Sequence, residues 1–181
     1  MQLKNTLNHK RTMLKRYFIF LILSSFLIGC IGYHKIPKDD NGKPILNDKT
    51  NYKFTKIPNE EDLAKIDTSA YYVQVFEGRY YNEDEKKNPS ILIFHNDGFF
   101  KQTSALYHLN YDYRNKNSVY YGGKYRITEN LIELEKFYPS QGGKTNYYSR
   151  NIRKGNIVGD RIIFDDGFSL LSIYEKKYEL K

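Results

Sequence analysis

Hydrophobic and polar residues alternate along much of the chain between residues 71 and 178. In one such stretch, Ile132 and Leu134 fall on one face of an extended strand, while Glu133 and Glu135 fall on the other. A period of two predicts β-strands, and strands with one dry and one wet face are typical of antiparallel sheets. We therefore predict an all-β antiparallel domain in which both glutamates face solvent.

About eight strands are predicted in this part of the chain. They span 71–81, 90–95, 99–106, 119–128, 131–138, 145–153, 156–158 leading into 161–164, and 168–178. Short turns separate them, and these turns are rich in Gly, Asn and Asp, which tolerate positive φ. Sequential hairpins without a crossover helix favour an up-and-down barrel, with a bent open sheet or a two-sheet sandwich as alternatives. About 110 residues suffice for one such domain with a single core.

One short helix is predicted ahead of the strands. Asn59 is a suitable N-cap, residues 60–62 are acidic, and apolar residues follow at helical spacing as far as Ile66. We expect this helix to end near Asp67. No other helix is predicted.

The first thirty residues follow a different pattern. Residues 1–16 contain five basic residues and no acidic one, and residues 17–28 are apolar apart from two serines. This order is typical of a secretory signal peptide. The apolar run has twelve residues, whereas a membrane-spanning helix needs about 20. A buried core helix is the alternative, but the rest of the chain supplies no helical partners for it.

The residues Leu27-Ile28-Gly29-Cys30 resemble the lipobox of bacterial lipoproteins. The resemblance implies that residues 1–29 are a signal peptide cleaved before Cys30, and that this cysteine, the only one in the chain, carries lipid. Several acyl chains, at about 0.8 kcal/mol per buried methylene, would anchor the protein permanently in a membrane. Ile31 stands where an aspartate would favour inner-membrane retention in enteric bacteria. We therefore expect a lipid-anchored envelope protein, preferably in the outer membrane, with its leaflet left open.

Removal of this leader changes the charge balance. The whole chain has 29 basic and 21 acidic residues, and the part after residue 29 keeps 24 basic and 21 acidic ones. So small a basic excess in an exported protein argues against a nucleic-acid partner. Residues 30–58 are rich in Pro, Lys, Asp and Asn, so we predict a lipidated N-terminus followed by a flexible tether. Residues 59–181 are predicted to form the folded domain.

Two stretches resemble bacterial lipocalin-like lipoproteins. "ILIFHNDGFFK" at 91–101 is similar to their strand, Asp-Gly turn and strand, and "GGKYRITENLIELEKF" at 122–137 is similar to the hairpin that follows. The resemblance covers about 71–178 and implies a calycin-type barrel that holds a small hydrophobic or amphipathic molecule. Tyr80 stands near the position of a tryptophan in the first lipocalin strand, and we expect its ring to fill the same space.

Motifs for catalysis are absent from the sequence. It contains no nucleophile elbow, phosphate loop or nucleotide fingerprint, and after the leader His34, His95 and His108 lack the spacing of a zinc motif. We therefore predict that the protein is not an enzyme and uses no cofactor and no metal.

Tyrosine is unusually frequent, with eighteen in the chain. Most are expected in the core and at its rim, because the ring packs while the hydroxyl reaches water. The stretch 107–116 is too polar for a core strand and longer than a tight hairpin needs. We predict a recognition loop whose candidate contacts are Tyr107, Tyr111, Tyr113 and Arg114. A long exposed hairpin without a partner is the alternative.

Two hypotheses for function follow from these patterns. In the first, the barrel of a lipid-anchored lipoprotein holds a small hydrophobic or amphipathic ligand, and Tyr121 and Tyr125 face it from the inner surface. In the second, bulky side chains fill the barrel, and the tyrosine-rich loop binds an envelope protein or a glycan. The sequence does not decide between them.

Overall fold

The computed structural model of the chain describes residues 33–46, 51–77, 80–139, 147–167 and 170–180. The predicted signal peptide, the lipobox and Cys30 lie outside the described residues. The strands are β1 Tyr33–Lys35, β2 Tyr71–Val75, β3 Ser90–Phe94, β4 Phe99–Ser104, β5 Gly122–Thr128, β6 Leu131–Pro139, β7 Tyr147–Val158, β8 Arg161–Asp165 and β9 Leu171–Lys177. The helices are α1 Glu60–Leu63, α2 Glu83–Lys87 and α3 Ala105–Tyr111.

Strands β2 to β9 form a closed barrel. Each pairs antiparallel with the next along the chain, and β9 pairs back with β2, where Tyr71 lies opposite Lys177. The predictions of an all-β class and of an eight-stranded up-and-down barrel are therefore confirmed. The alternatives of an open sheet and a sandwich are wrong. β1 is not one of the eight barrel strands, and it pairs with the first residues of β7.

One predicted turn is instead part of a strand. Gly155 was expected to lie between the predicted strands 145–153 and 156–158, but β7 runs without interruption from Tyr147 to Val158. The reason is packing, because a Cβ on Gly155 would lie 2.6 Å from a ring carbon of Phe164 on β8. This glycine therefore makes room for a core aromatic residue and does not form a turn.

The helices differ from the prediction in number. α1 starts at the expected N-cap, where the Asn59 side chain and the Asp62 side chain form a reciprocal capping box. α2 and α3 were not predicted. α2 has the same kind of capping box between Asn82 and Glu85, so its start could have been recognised, although five residues give little helical periodicity.

The barrel interior is dry and filled at one end, which we call the closed end. Aromatic and aliphatic side chains pack there without exposure to solvent, among them Phe94, Phe100, Tyr125 and Ile132. Ile66, from the connection between α1 and β2, belongs to the same cluster. The edge-on ring contact between Phe94 and Tyr125, with centroids 5.1 Å apart, is typical of a close-packed core.

The opposite end of the barrel, where β2, β4, β6 and β8 finish, has a polar interior. Residues paired across an antiparallel ladder share a face, so the register extends the inner face from the core residues to polar ones. The inner-face residues at this polar end are Gln74, Ser90, Gln102, Lys136, Arg153 and Ser172. Most of them are only partly buried. The interior therefore changes from apolar to polar along the barrel axis.

The segment that precedes the helix is packed against the barrel wall. Residues 33–46 and 51–58 belong to the stretch predicted to be a flexible tether, yet Ile36, Leu46 and Tyr52 are buried in a second cluster with Phe137 of β6. The prediction of a tether is wrong for these residues. Their composition resembles a disordered linker, but a few well-spaced apolar side chains suffice to fix them on the outside of the sheet.

The two glutamates of β6 are also not solvent-exposed. They point outward, as predicted, but Glu135 is 0% exposed because the segment at Lys53 and Phe54 covers it. Its carboxylate accepts hydrogen bonds from both backbone N–H groups at 2.8 Å and lies 2.7 Å from Nε of Arg150. The side chain of Glu133 is 7% exposed and pairs with Arg126. Strand alternation separates the two faces, but it does not reveal that other chain segments cover the outer one.

The expected role of Tyr80 is wrong. Its side chain is 87% exposed and fills no space inside the barrel. The neighbouring Tyr81 is buried instead, edge-on to Phe76 at 5.0 Å, and its hydroxyl donates a hydrogen bond to the carbonyl of Leu171. Among the described residues, no helix is both long and apolar enough to cross a membrane.

Candidate functional site

The candidate residues predicted from the sequence lie in two different environments. Tyr107, Tyr111, Tyr113 and Arg114 come together on the outer surface of the barrel, where they line one groove of about 610 Å³. Tyr121 and Tyr125 are buried away from it. These positions do not test the prediction that all six residues contact a ligand or partner.

The groove, which we call the tyrosine groove, has two walls. One wall is α3 with the connection that follows it, and it carries Tyr107, Tyr111 and Tyr113. The other wall is the N-terminal segment, which folds back at Gly42 and presents Pro44 and Ile45. Ile45 forms a β-bridge to Ser118, so the second wall is hydrogen-bonded to the first. The sequence did not indicate this wall, because the segment was expected to be flexible.

Tyrosine rings dominate the surface of the groove. Tyr113 is 92% exposed and Tyr111 is 64% exposed, while Tyr107 and Tyr120 are about half as exposed as Tyr113. The rings of Tyr107 and Tyr111, one helical turn apart, have centroids 6.2 Å from each other. Large aromatic rings at this exposure are uncommon on a monomer surface, and contiguous exposed patches mark interaction sites.

Arg114 fixes the shape of the groove and is not free to bind a partner. Its guanidinium makes two parallel hydrogen bonds to the Asp112 carboxylate, at 2.7 and 2.6 Å, and also donates to the backbone carbonyls of Gln102 and Tyr120. It lies 5.1 Å from the ring centroid of Tyr107, within range of a cation–π contact. Arg114 therefore joins β4, α3 and the approach to β5.

Asp112 is the partner that makes this arrangement possible. Its side chain is fully buried, and Lys101 lies 3.3 Å from the same carboxylate. Burial alone would raise the pKa of Asp112, but the hydrogen bonds and charge of Arg114 and the charge of Lys101 outweigh it and hold that pKa well below its usual range. A carboxylate with two cations is thus ionised at every physiological pH.

Tyr121 and Tyr125 are both buried and both hydrogen-bonded to His95. Tyr125 is 0% exposed in the core, and its hydroxyl donates to the carbonyl of His95 at 2.8 Å. The Tyr121 hydroxyl shares a hydrogen bond with Nε2 of His95 at 2.6 Å, and their rings stack. Burial, with the charges of Asp97 and Asp112, raises the pKa of Tyr121 to about 12. Neither ring lines the tyrosine groove.

A second cluster, which the sequence analysis did not predict, lies at the polar end of the interior. Lys136 reaches Oε1 of Gln102 at 3.0 Å, and its Nζ lies 5.2 Å from the ring centroid of Tyr138. Beside it, the Arg153 guanidinium makes a bidentate pair with the Asp166 carboxylate. A cavity of about 720 Å³, lined in part by Tyr138 and Arg153, opens where β7 and β8 cease to pair.

The signal for this cluster was present in the sequence. Lys136 follows Ile132 and Leu134 at intervals of two, so the alternation that puts the aliphatic residues inside puts this lysine inside as well.

The remaining histidines do not form a cluster of ligands. His108 on α3 has an Nδ1 atom that is buried without a hydrogen-bond partner among the described residues, and its ring lies edge-on to Tyr71. Burial lowers the pKa of His108, and the charge of Lys101 lowers it further. Within the described parts of the chain, no three His, Cys, Asp or Glu side chains lie close enough to hold a metal ion.

Comparisons of the chain with protein-family models, with curated proteins and with solved structures found no match. The resemblance to lipocalin-like lipoproteins therefore depends on the sequence stretches described above. The structure contributes the closed antiparallel barrel that this resemblance implies.

Proposed function

We propose that this protein is a lipid-anchored, non-enzymatic binding module of the cell envelope, and that its tyrosine groove captures an extended segment of another protein. The observation that carries the proposal is a groove lined by exposed tyrosines, whose first wall is held in place by Arg114 and whose second wall is bridged to it through Ile45 and Ser118. A preformed surface loses little conformational entropy on binding, which favours affinity.

The groove is favoured over the barrel interior as the main binding site. An apolar ligand inside the barrel would need the space that Phe94, Phe100 and Tyr125 occupy at the closed end. Eight-stranded barrels have an interior that side chains alone can fill, and that is the arrangement here over the apolar half. The first of the two functional hypotheses, in which a hydrophobic molecule lies in the barrel, therefore has less support.

A protein segment is favoured over a glycan as the occupant. Tyrosine is among the residues most enriched at the energetic centres of protein interfaces. The second wall presents Pro44 and Ile45 beside the charged Asp39 and Lys43, and a protein segment offers both apolar and charged side chains to match them. Aromatic-lined grooves on other domains accept extended, proline-containing segments, because such segments lose little entropy when they bind.

Site-specific photo-crosslinking tests this proposal. A photoreactive phenylalanine analogue in place of Tyr113, in the full chain expressed in its own host, should form an adduct with one recurring extended segment, identified by mass spectrometry. The same analogue in place of Tyr80, which is exposed outside the groove, is the matched control and should not form it.

The identified segment then provides a quantitative test. As a synthetic peptide it should bind at least about tenfold more weakly to the Tyr111→Ala/Tyr113→Ala double variant, whereas Tyr80→Ala should bind it like the wild type. Equal binding to all three proteins would contradict the proposal. If the double variant lost the ability to bind a glycan and no peptide adduct formed at Tyr113, the occupant of the groove would be a glycan and not a protein segment.

The membrane anchor has a separate test. Cys30→Ser should release the protein from membranes or leave an uncleaved precursor, because the lipid would have no attachment site. Unchanged membrane fractionation would refute lipidation and leave the groove experiment unaffected.

A further inference from the structure

Helix α3 carries apolar side chains that no described part of the chain covers. Leu106 is 60% exposed and Leu109 is 62% exposed, and α3 has no buried residue. Because these two leucines are three residues apart on a helix, they share one face, which we call the leucine face. Tyr107 and Tyr111 lie on the nearly opposite face, where they line the tyrosine groove. The leucine face is therefore separate from the groove.

The composition of α3 suits an apolar environment. Its seven residues include no Asp, Glu, Lys or Arg, whose charges are costly to place in a membrane. His108 packs edge-on against Tyr71 of β2, and burial with the charge of Lys101 lowers its pKa, so its imidazole is neutral at pH 7. An uncharged helix with exposed leucines is typical of a surface that contacts a membrane or another protein.

Other large apolar side chains are exposed at the same end of the barrel. α3 follows β4, so it belongs to the polar end, where β2, β4, β6 and β8 finish. Outside the tyrosine groove, the large apolar or aromatic side chains exposed at this end are Tyr80, Leu106, Leu109, Tyr138, Tyr147 and Leu170. Those exposed at the closed end are Ile57, Val158 and Tyr178. Among the described residues, apolar exposure is thus concentrated at the polar end.

The predicted lipid attachment point is also near this end. β1 begins at Tyr33, opposite Ser149, which is two residues from the start of β7 at the polar end. Cys30 precedes Tyr33 by three residues, a span of at most about 11 Å. The closed end, at Val158, lies nine residues beyond Ser149 along β7, or about 30 Å. A lipid on Cys30 would therefore hold the polar end near the bilayer.

We propose that the leucine face of α3 inserts into the surface of a lipid bilayer and holds the polar end of the barrel against it. The proposal rests on the lipid anchor proposed above, because the anchor brings a bilayer within reach. α3 has seven residues, far fewer than the about 20 that cross a membrane, so it lies in the plane of the interface. The tyrosine groove, on the opposite face of α3, stays open to solvent.

A bilayer is favoured over a second copy of the chain as the occupant. A stable protein–protein interface buries about 800 Å² on each partner and needs a complementary shape. Two leucine side chains provide much less than this area. A bilayer needs no complementary shape, and it accepts leucine in its acyl region and tyrosine at its headgroup level.

Photo-crosslinking to lipid tests the proposal on the mature chain, which starts at residue 30. Its only thiol, on Cys30, is coupled to a maleimide-bearing lipid in phosphatidylcholine vesicles, so the chain is attached there whether or not its host lipidates it. A photoreactive phenylalanine analogue in place of Leu109 should form adducts with phosphatidylcholine, identified by mass spectrometry. The matched control carries the analogue in place of Val158, which is 57% exposed at the closed end, and should form at least about fivefold fewer adducts.

Substitution of the other leucine provides a second readout. Leu106→Ser should reduce the lipid adducts at position 109 at least about threefold, because half of the inserted leucine face is lost. Leu106→Met keeps an apolar side chain of similar size and should retain them. Since Leu106 is exposed, neither change should affect folding.

Three results would overturn the proposal. They are equal yields of lipid adduct at positions 109 and 158, an unchanged yield in Leu106→Ser, and adducts of position 109 with a second copy of the chain in place of lipid. Two leucines alone bind a membrane weakly and reversibly, so Cys30→Ser should still be released from membranes. Failure of that release would refute the anchor alone, and the photo-crosslinking at Tyr113 tests the groove alone.

Discussion

The buried carboxylate of Glu135 should fasten the N-terminal segment to the barrel, and Glu135→Gln tests this. The carboxylate accepts the backbone N–H groups of Lys53 and Phe54 and pairs with Arg150. Glutamine has nearly the same shape but no charge, and its single carbonyl oxygen accepts fewer of these bonds. Hydrogen bonds to a charged group contribute about 1.5–3 kcal/mol each, and neutral ones about half as much.

The expected cost follows from these contacts. Weakening two backbone hydrogen bonds removes about 1 kcal/mol each, and a half-buried Arg150 without its counter-ion adds about 1 kcal/mol more. The free energy of unfolding should therefore fall by about 3 kcal/mol, which for a chain of this length lowers Tm by about 6–12 °C.

Urea denaturation and amide hydrogen exchange measure the two consequences. Glu133→Gln is the matched control, because it makes the same change two residues away on the same strand face, where Arg126 and Lys154 are mostly solvent-exposed and an exposed pair contributes less than about 1 kcal/mol. Exchange should accelerate at Lys53 and Phe54 only in Glu135→Gln. If the two variants differed by less than about 0.5 kcal/mol, the fastening role of Glu135 would be refuted.

Three further predictions concern a close backbone approach, a buried ion pair and a buried hydroxyl. Gly123→Ala should lower the free energy of unfolding, measured by urea denaturation, by at least about 3 kcal/mol, because its Cβ would lie 1.8 Å from a backbone oxygen of β6. In the control Gly42→Ala the new Cβ meets no atom within 4 Å, and the free energy of unfolding should fall by only about 1 kcal/mol. Equal losses in the two variants would contradict this prediction. Asp112→Asn should make the free energy of unfolding fall less steeply as the pH is lowered below about 4, because a carboxylate with a depressed pKa stabilises the folded state above that pH and loses this effect on acidification. The same acid dependence in the wild type and the variant would exclude this role for Asp112. Tyr125→Phe should lower the free energy of unfolding by about 1 kcal/mol, measured by thermal unfolding, because only the hydrogen bond to the His95 carbonyl is lost. A decrease of more than about 3 kcal/mol would indicate a further role of the hydroxyl.

The fold was predictable because its determinants are local. Alternation in a stretch such as Ile132 to Glu135 assigns residues to faces, and the Asn-Asp-Gly turn at 96–98 sets one hairpin. Antiparallel strands joined by short turns leave few topologies other than a meander. The closing pair between β9 and β2 follows only if the sheet curves enough, and the structure supplies that information.

The errors arose where distant segments meet. The segment 33–58 has the composition of a linker, and no local signal indicates that Tyr52 finds a pocket against Phe137, with ring centroids 5.5 Å apart. The next two residues along the segment, Lys53 and Phe54, cover Glu135. The stretch 107–116 was predicted to be a recognition loop, but α3 includes its first five residues, and the second wall of the groove depends on contacts far apart in sequence.

Closure of the barrel has a consequence for how the chain reaches its native state. The pairing of Tyr71 with Lys177 joins residues about 100 positions apart, whereas the hairpins between them join neighbours. Loop-closure entropy makes such distant pairings slow, so we expect the hairpins to form early and the seam between β2 and β9 to form late. Until the seam closes, both of those strands present unpaired backbone edges and the aromatic core is open to water, a state that is prone to aggregation. Conditions that delay the seam should therefore lower the yield of folded protein without changing the stability of the molecules that complete it.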